Sequence, residues 1–435
     1  MNLLRENYKT EFNFLKNNLY NDLDLIYLDL VRTINSLICN IIEIYNNHKC
    51  LVYLYCLKAY LTNENIYFHK ARNIYIKYYN NPKNILVKVK DWEELDLNVN
   101  EFEELLSCEL VYYNSEKDSK FDMKDSDVRY IPKRYDHINF RYEILSNLGK
   151  GAFSNVFKCR DYANNKNNVA IKIIRNEPRF NKQAKVELTI LKQLREINNP
   201  YIYTVLDYFN FRNHQCFVFS LFGMNLYQYT KKNKFEPMKI DFVRQISKQL
   251  LLALLVLKKN KIIHADLKPE NIVIDSIDNS KICIKVIDLG SATFLHEKIH
   301  TYIQSRYYRA PEIILGLGYD CSIDLWSLGC IVYELTIGYP LFNDRNETSL
   351  ILSHYNFLGQ FEKDYLLKST RKNILLNQIC NYTQLIPYHK LNTLSKNLEI
   401  SEYNQLRQFL ESIFKWKTIE RVNIENCLIH NFIIN

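Results

Sequence analysis

The chain has 435 residues, 47% hydrophobic and 24% charged, with 57 Lys and Arg against 48 Asp and Glu for a net charge of +9, the balance of an ordinary globular protein with room for a sizeable core. Eleven cysteines fall without a C-x-x-C pair or a Cys/His cluster, which excludes a zinc site and a disulfide framework and points to reduced thiols in the cytoplasm or nucleus; the densest basic tract, Lys231-Lys232-Asn233-Lys234, reads as a solvated helix end with no nucleic-acid role. Arg5, Glu6 and Lys9 open the sequence without a secretory pattern, and the apolar stretch 51–61, interrupted by Lys58, falls short of the roughly 18 apolar residues of a membrane span, so a soluble protein with no membrane partner is expected.

Residues 1–95 read as helices, with apolar residues at mixed three- and four-residue spacing, broken at Asn80-Asn81-Pro82. Two roles stay open for them: a helical layer packed on the rest, or an adaptor that binds a partner protein. Residues 96–141 read as a connector, with an acidic run over 101–109 and a polar stretch over 115–127. From 142 onward short strands give way to long helices. That is the pattern of an α+β domain in two lobes, a β-rich small lobe over 142–221 and a helical large lobe over 222–435.

Residues 141–148 alternate as a strand that ends at Leu148 and runs into Gly149-Lys150-Gly151-Ala152-Phe153-Ser154-Asn155-Val156. Glycines at such a turn let backbone N–H groups approach phosphate oxygens, although an ordinary hairpin would carry them too. The chain returns as a strand over 155–162, which excludes the dinucleotide fingerprint, whose loop opens a helix. Next, Val169-Ala170-Ile171-Lys172 is a strand ending in one lysine, within reach of the α- and β-phosphates if it lies beside the glycine hairpin. A half-buried lysine needs a carboxylate, and Glu187 on the following helix is the candidate.

Further on stands Ile263-His264-Ala265-Asp266-Leu267-Lys268-Pro269-Glu270-Asn271, and then an apolar strand ending in Asp288-Leu289-Gly290. In this order the four stretches resemble the protein kinases, and Asp266-Leu267-Lys268-Pro269-Glu270-Asn271 has the serine/threonine form. Phosphoryl transfer from ATP demands positioning and charge neutralisation. Asp266 would accept the hydroxyl proton and Lys268 neutralise the transferring group. Asn271 and Asp288 would hold Mg²⁺ against the phosphates.

The resemblance narrows to the dual-specificity tyrosine-regulated kinases, class II most of all, with the homeodomain-interacting kinases next. It rests on Asp136-His137-Ile138-Asn139-Phe140-Arg141, Arg175-Asn176-Glu177-Pro178-Arg179-Phe180, Phe211-Arg212-Asn213-His214, Met224-Asn225-Leu226-Tyr227 and 301–312, which ends in Tyr307-Tyr308-Arg309-Ala310-Pro311-Glu312. It implies a bulky Phe219 beside adenine, a hinge at Ser220-Leu221-Phe222, and protein substrates phosphorylated on Ser or Thr, often before proline and after an upstream arginine. It implies autophosphorylation of Tyr302 during maturation, with Ser305, Arg306 and Arg309 contacting the phosphotyrosine or the substrate. It also implies that Arg421 pairs with Glu312. The segment 101–113 faintly resembles an accessory region of class II members.

Four positions depart from the pattern: Ser154 for the third glycine, Ala265 before the catalytic aspartate, Leu289 for phenylalanine, and His300 for the first of two tyrosines. The family insert between 373 and 403 is short. These departures leave a competing possibility, a pseudokinase scaffold that binds nucleotide or partners without turnover.

Overall fold

The computed structural model describes residues 130, 136–297, 302–360, 365, 367–371, 391 and 400–434. The expected helices of 1–95, the segment 101–113, the apolar stretch 51–61, His300 and most of 373–403 lie outside them. Among the described residues no helix is long and apolar enough to cross a membrane.

The chain divides into two compact units, and the smaller contributes 136–143 and 161–166 to the described residues. Within it β1 (His137–Ile138) pairs antiparallel with the start of β2 (Tyr142–Lys150), so two residues of strand stand inside the stretch read as connector. Arg141 forks onto Asp161, with Nε and Nη2 each 2.8 Å from a carboxylate oxygen. The bidentate geometry makes this a charge-assisted pair.

In the larger unit β2 continues into β3 (Ser154–Asp161), and the sheet runs in the order β2-β3-β4-β6-β5. Here β4 is Asn167–Ile174, β5 is Asp207–Phe211 and β6 is His214–Ser220. β4 and β6 pair antiparallel with Ala170 opposite Phe219 and Lys172 opposite Phe217. Because side chains alternate along a strand, Ala170 and Lys172 share one face. Val169, Ile171 and Ile173 fill the other and are buried.

After β4 comes α1 (Pro178–Ile197), which opens on a proline and ends at Asn198 in the left-handed region, φ 51°. Pro at the first turn loses no intrahelical bond, and Asn tolerates that φ better than most residues. Its buried positions, Phe180, Ala184, Glu187, Ile190, Leu191 and Leu194, recur at helical spacing. One carboxylate therefore sits in an apolar stripe, and burial demands a partner for it.

The remainder is helical around a core of α2 (Leu226–Lys232), α3 (Ile240–Lys259), α4 (Pro311–Ile314), α5 (Ser322–Ile337), α6 (Glu347–Leu358), α7 (Ile400–Ile413), α8 (Ile424–Leu428) and α9 (Asn431–Ile434). Two short antiparallel pairs lie among them: β7 (Ile262–Ile263) with β10 (Thr293–Phe294), and β8 (Ile272–Ile277) with β9 (Ile282–Val286). α5 is buried all round apart from its first residue, and Trp326 on it packs against the rings of Phe342, His354 and Phe414. The two-lobed α+β architecture expected from the sequence is thus present, a sheet with one helix followed by a helical body.

The C-terminal part is locked by the pair expected of Arg421 and Glu312. Nη1 and Nη2 of Arg421 reach the two carboxylate oxygens at 2.8 and 3.0 Å, and both side chains are at most 1% exposed. Removing one partner leaves a buried charge uncompensated, a loss of about 3–5 kcal/mol. Arg421→Ala is therefore expected to lower the unfolding free energy by about 3 kcal/mol or more, read from urea denaturation curves, whereas an exposed pair such as Arg407–Glu411 should move it by less than about 1 kcal/mol.

Candidate active site

Lys172, at the end of the face it shares with Ala170, places its Nζ 2.7 Å from Glu187 Oε1 and 2.8 Å from Asp288 Oδ1. The strand, the helix stripe and the end of β9 thus meet at one ammonium. Burial alone would lower the Lys172 pKa, but the carboxylates of Asp288 and Glu187 outweigh it and raise it above the ordinary lysine value. Burial raises Glu187, with Lys172 opposing. At Asp288 burial works upward too, but the charge and hydrogen bond of Lys172 and the Gly290 N–H override it and bring the carboxyl down to about 2.

Asp288 itself has φ 62°, and the Gly290 N–H donates to its Oδ1 at 3.2 Å. A Cβ on Gly290 would stand 2.9 Å from Lys172 Nζ and 3.0 Å from Asp288 Oδ1. Only glycine leaves room for that ion pair. The neighbouring Leu289 is fully buried, an apolar plug as anticipated.

A second cluster forms around Asp266. Lys268 Nζ lies 2.6 Å from Oδ2, and Ser305 Oγ donates to Oδ1 at 2.7 Å while accepting from Lys268 Nζ at 3.0 Å. Asn271 Nδ2 donates to the Asp266 carbonyl at 2.9 Å, so its Oδ1 remains an acceptor. Two other residues of the loop and one of the later segment converge on Asp266.

The loop is held from below by Asp324 on α5, whose carboxylate accepts the N–H groups of His264 and Ala265 at 2.8 and 3.0 Å. Ala265 has φ 64°, a conformation that costs a non-glycine residue about 1–2 kcal/mol. Its carbonyl accepts the N–H of Gln304 at 2.9 Å, tying the later segment to the loop. Burial raises the Asp324 pKa, with His264 and the two N–H donors working against it. In the sequence Asp324 is marked as the lone carboxylate near the start of the apolar run Ile323-Asp324-Leu325-Trp326. Gln304 carries no such mark. It is 6% exposed, and its amide group meets Ser327 Oγ and the Ile323 carbonyl at 2.9 Å and the Ala310 N–H at 2.9 Å.

The glycine hairpin closes through Gly151 N–H to the Ser154 carbonyl at 2.8 Å. Lys150, Gly151, Ala152 and Phe153 are exposed at its tip, as is Leu148 on the strand that leads in. A Cβ on Gly149 would meet no protein atom within 4 Å, so the space beside the loop is open for a ligand. Ser154 is a buried strand residue, and Val156 is half-buried. The side-chain amide of Asn155 donates to the Tyr130 carbonyl at 3.3 Å. Phe219 is 2% exposed near the end of β6, followed by exposed Ser220 and half-buried Leu221 and Phe222.

Of the three later residues, Arg309 lies with its guanidinium carbon 4.1 Å from the centre of the Tyr302 ring, while also pairing with Glu347 at 3.0 Å. Arg306 donates to the Arg345 carbonyl at 2.5 Å. Tyr302 is 56% exposed.

The protein kinase domain model matches residues 142–433. The chain is 45% identical over 260 residues to human dual specificity tyrosine-phosphorylation-regulated kinase 4, covering 59% of this chain and 49% of the relative. It is 39% identical over 358 residues to the probable serine/threonine-protein kinase dyrk2 of Dictyostelium discoideum, covering 78% and 39%. It is 38% identical over 358 residues to dual specificity tyrosine-phosphorylation-regulated kinase 2 of Drosophila melanogaster, covering 77% and 49%. The chain therefore spans less than half the length of these relatives.

The ion triad makes a stability prediction with a defined sign. In Lys172→Met, Glu187 stays buried without its cation, so its folded pKa rises further above the unfolded value. A raised carboxyl contributes stability below the unfolded pKa and loses it as pH rises through the folded one. Urea unfolding of the variant should weaken between pH 5 and 8 by about 1.4 kcal/mol for each unit of that rise, whereas the wild-type chain should change less.

Proposed function

We propose that this chain, which belongs to the protein kinase family and is similar to its dual-specificity tyrosine-regulated members, transfers the γ-phosphoryl of ATP to serine and threonine hydroxyls of protein substrates. The observation that carries the reading is Asp266, a carboxylate oriented by Lys268, Ser305 and Asn271 on a loop that Asp324 holds in place. The scaffold alternative finds no support in a site whose ionic set, Lys172, Glu187, Asp266, Lys268, Asn271 and Asp288, is complete.

In this mechanism the substrate hydroxyl approaches Asp266, which orients it and takes its proton as the oxygen–phosphorus bond forms and the bond to the ADP oxygen breaks. Lys268, beside Asp266, neutralises charge on the phosphoryl group in flight. Lys172, kept cationic and aimed by Glu187, holds the non-transferred phosphates. Asp288 and Asn271 present hard oxygen donors, which fit Mg²⁺ because it takes one or two protein oxygens and completes its shell from phosphates and water. Bound there, the cation neutralises the phosphate oxygens.

Two features support the finer substrate preference. The φ of 67° at Gln304 turns its carbonyl to Arg309, whose Nε and Nη2 donate to it at 3.2 and 2.7 Å. A substrate N–H arriving next to Ser305 would find that acceptor already occupied, which favours proline, the residue with no N–H to satisfy. A cavity of about 380 Å³ is lined by Lys268, Glu270, Ser305, Arg306, Tyr308 and Glu334 among others. Its two carboxylates suit an arginine upstream of the phosphorylated residue.

The cation–π contact of Arg309 with Tyr302 supports Tyr302 as the autophosphorylated tyrosine, because a phosphate added there would seek that guanidinium. Class II membership, a partner-binding role for the N-terminal region, and residence in the cytoplasm or nucleus complete the proposal. The described cysteines are all free, which suits a reducing compartment.

Two experiments test the reading. Asp266→Asn should lower kcat on a Ser/Thr-Pro peptide with an upstream arginine by about 10²–10⁴-fold, and mass spectrometry should find Tyr302 phosphorylated in the wild-type chain alone. A bare peptide with the wild-type chain, across several sequences, would sink the proposal. The second concerns Glu334, which burial pushes up to about 7 against a hydrogen bond from Tyr308 at 2.7 Å. Raising the pH from 6 to 8 ionises it, so the KM for the arginine peptide should fall about threefold or more, as a charge-assisted hydrogen bond is gained. Glu334→Gln should flatten that profile.

A further inference from the structure

Between α1 and β5 the chain crosses beneath the nucleotide cleft as a short extended segment that no part of the proposed mechanism uses. The Val286 N–H donates to the Tyr201 carbonyl at 2.8 Å and the Tyr203 N–H to the Val286 carbonyl at 3.0 Å, a parallel bridge centred on Ile202 and Val286. Lys285 Nζ adds a bond to the Pro200 carbonyl at 2.8 Å. The segment is thus an extra strand beside β9, and β9 leads within two residues to Asp288.

The next residue of β9's extension, Ile287, donates its N–H to the Asn271 carbonyl at 2.9 Å. Two consecutive peptide units therefore bind Tyr201 and Tyr203 on one side and Asn271 on the other. Whatever fixes 201–203 is coupled through short, rigid hydrogen bonds to both residues proposed to hold Mg²⁺.

The Tyr203 side chain points the other way along this chain of contacts. Its ring stacks on Phe219 with centroids 4.0 Å apart and planes 28° from parallel, and meets Phe222 edge-on at 6.5 Å. Phe219 and Phe222 bracket Ser220 and Leu221, the hinge that faces adenine. Tyr203 is 9% exposed, so the stack is dry and unable to slide without opening a void. Burial first, then the Glu187 and Asp288 carboxylates, drive its pKa well above the ordinary phenol value, so it stays neutral beside them.

We propose that Tyr203 is a positioning residue for the nucleotide, its ring holding the hinge at Phe219 and Phe222 while its backbone holds β9, so that adenine and the metal-binding pair are kept at a fixed separation. The inference rests on the kinase reading only in that it requires ATP to span the hinge and Asp288. It assigns the ring, and not the hydroxyl, as the working part. Losing the ring frees the hinge relative to Asp288, and nucleotide affinity falls while peptide affinity does not.

The test uses the full chain and three variants, Tyr203→Phe, Tyr203→Leu and Tyr203→Ala. KM values for ATP and for the arginine peptide come from steady-state kinetics, and MgADP affinity from calorimetry. Tyr203→Phe is expected to match the wild-type chain. Tyr203→Ala is expected to raise both the KM for ATP and the MgADP Kd by about two- to tenfold, the factor that corresponds to one aromatic pair, with the peptide KM unchanged. Tyr203→Leu, which keeps bulk but no flat ring, should shift the nucleotide constants in the same direction, and it decides the matter if the alanine variant is insoluble. Unchanged nucleotide constants in Tyr203→Leu and Tyr203→Ala overturn the proposal, as does an equal rise in both substrates' KM values. A Tyr203→Phe variant as weak as Tyr203→Ala would overturn the assignment to the ring. A wild-type chain that binds MgADP without turnover would overturn the kinase reading alone, because the calorimetric comparison still decides the role of Tyr203.

Discussion

Asp324, a buried carboxylate paired with no Lys or Arg among the described residues, is the constraint on which the site depends. It stands 1% exposed on a helix buried on nearly every side, and burying an ionised group without compensation is costly. Its compensation is the pair of N–H groups of His264 and Ala265. Those same bonds hold Ala265 in a left-handed conformation that the residue would not adopt unaided, since charge-assisted hydrogen bonds of about 1.5–3 kcal/mol each exceed the strain. Strain and desolvation are thus settled against each other at one point, and the direction of Asp266 follows from it.

From that point the rest of the site is reached in single steps. The Ala265 carbonyl takes the Gln304 N–H, and Gln304 in turn uses its buried amide group to fix Ile323, Ser327 and Ala310. His264 Nε2 lies 3.2 Å from the Ile287 carbonyl, one residue before Asp288. Asp266, the later segment with Ser305, and Asp288 therefore share one helix as their reference. Lys172 and Glu187, which come from the sheet and from α1, join through the ionic contact to Asp288. That contact, unlike the hydrogen bonds around Asp324, lies at the open edge of the cleft, where the Asp288 side chain is 47% exposed.

The departures from the family pattern make physical sense in this frame. Ala265 carries no charge before Asp266, and Arg309 stands against Tyr302, anchored by Glu347. Leu289 fills its buried position by volume alone. Ser154 belongs to the returning strand and not to the turn, so the missing third glycine changes a strand end and leaves the open loop tip to Gly149 and Gly151.

The residue sequence by itself determined the lobed α+β architecture and the order of the stretches that carry Lys172, Glu187, Asp266, Lys268, Asn271 and Asp288. These were legible because each is a charged or amide residue at a fixed place in a local pattern: a strand end, a helix stripe, a tight loop. Tertiary structure alone decided what those patterns do not encode. It turned the Asn155 amide toward Tyr130 and Arg306 toward the Arg345 carbonyl, set Arg309 against the Tyr302 ring, and brought Asp324 under the loop of Asp266, Gln304 against Ala310 and Tyr203 against Phe219. The physical reason is the range of the interactions. A strand or helix period is written in neighbours two to four residues apart, whereas a buried amide, a left-handed alanine or a stacked ring takes its meaning from groups tens of residues away, which only the closed fold brings within hydrogen-bond distance.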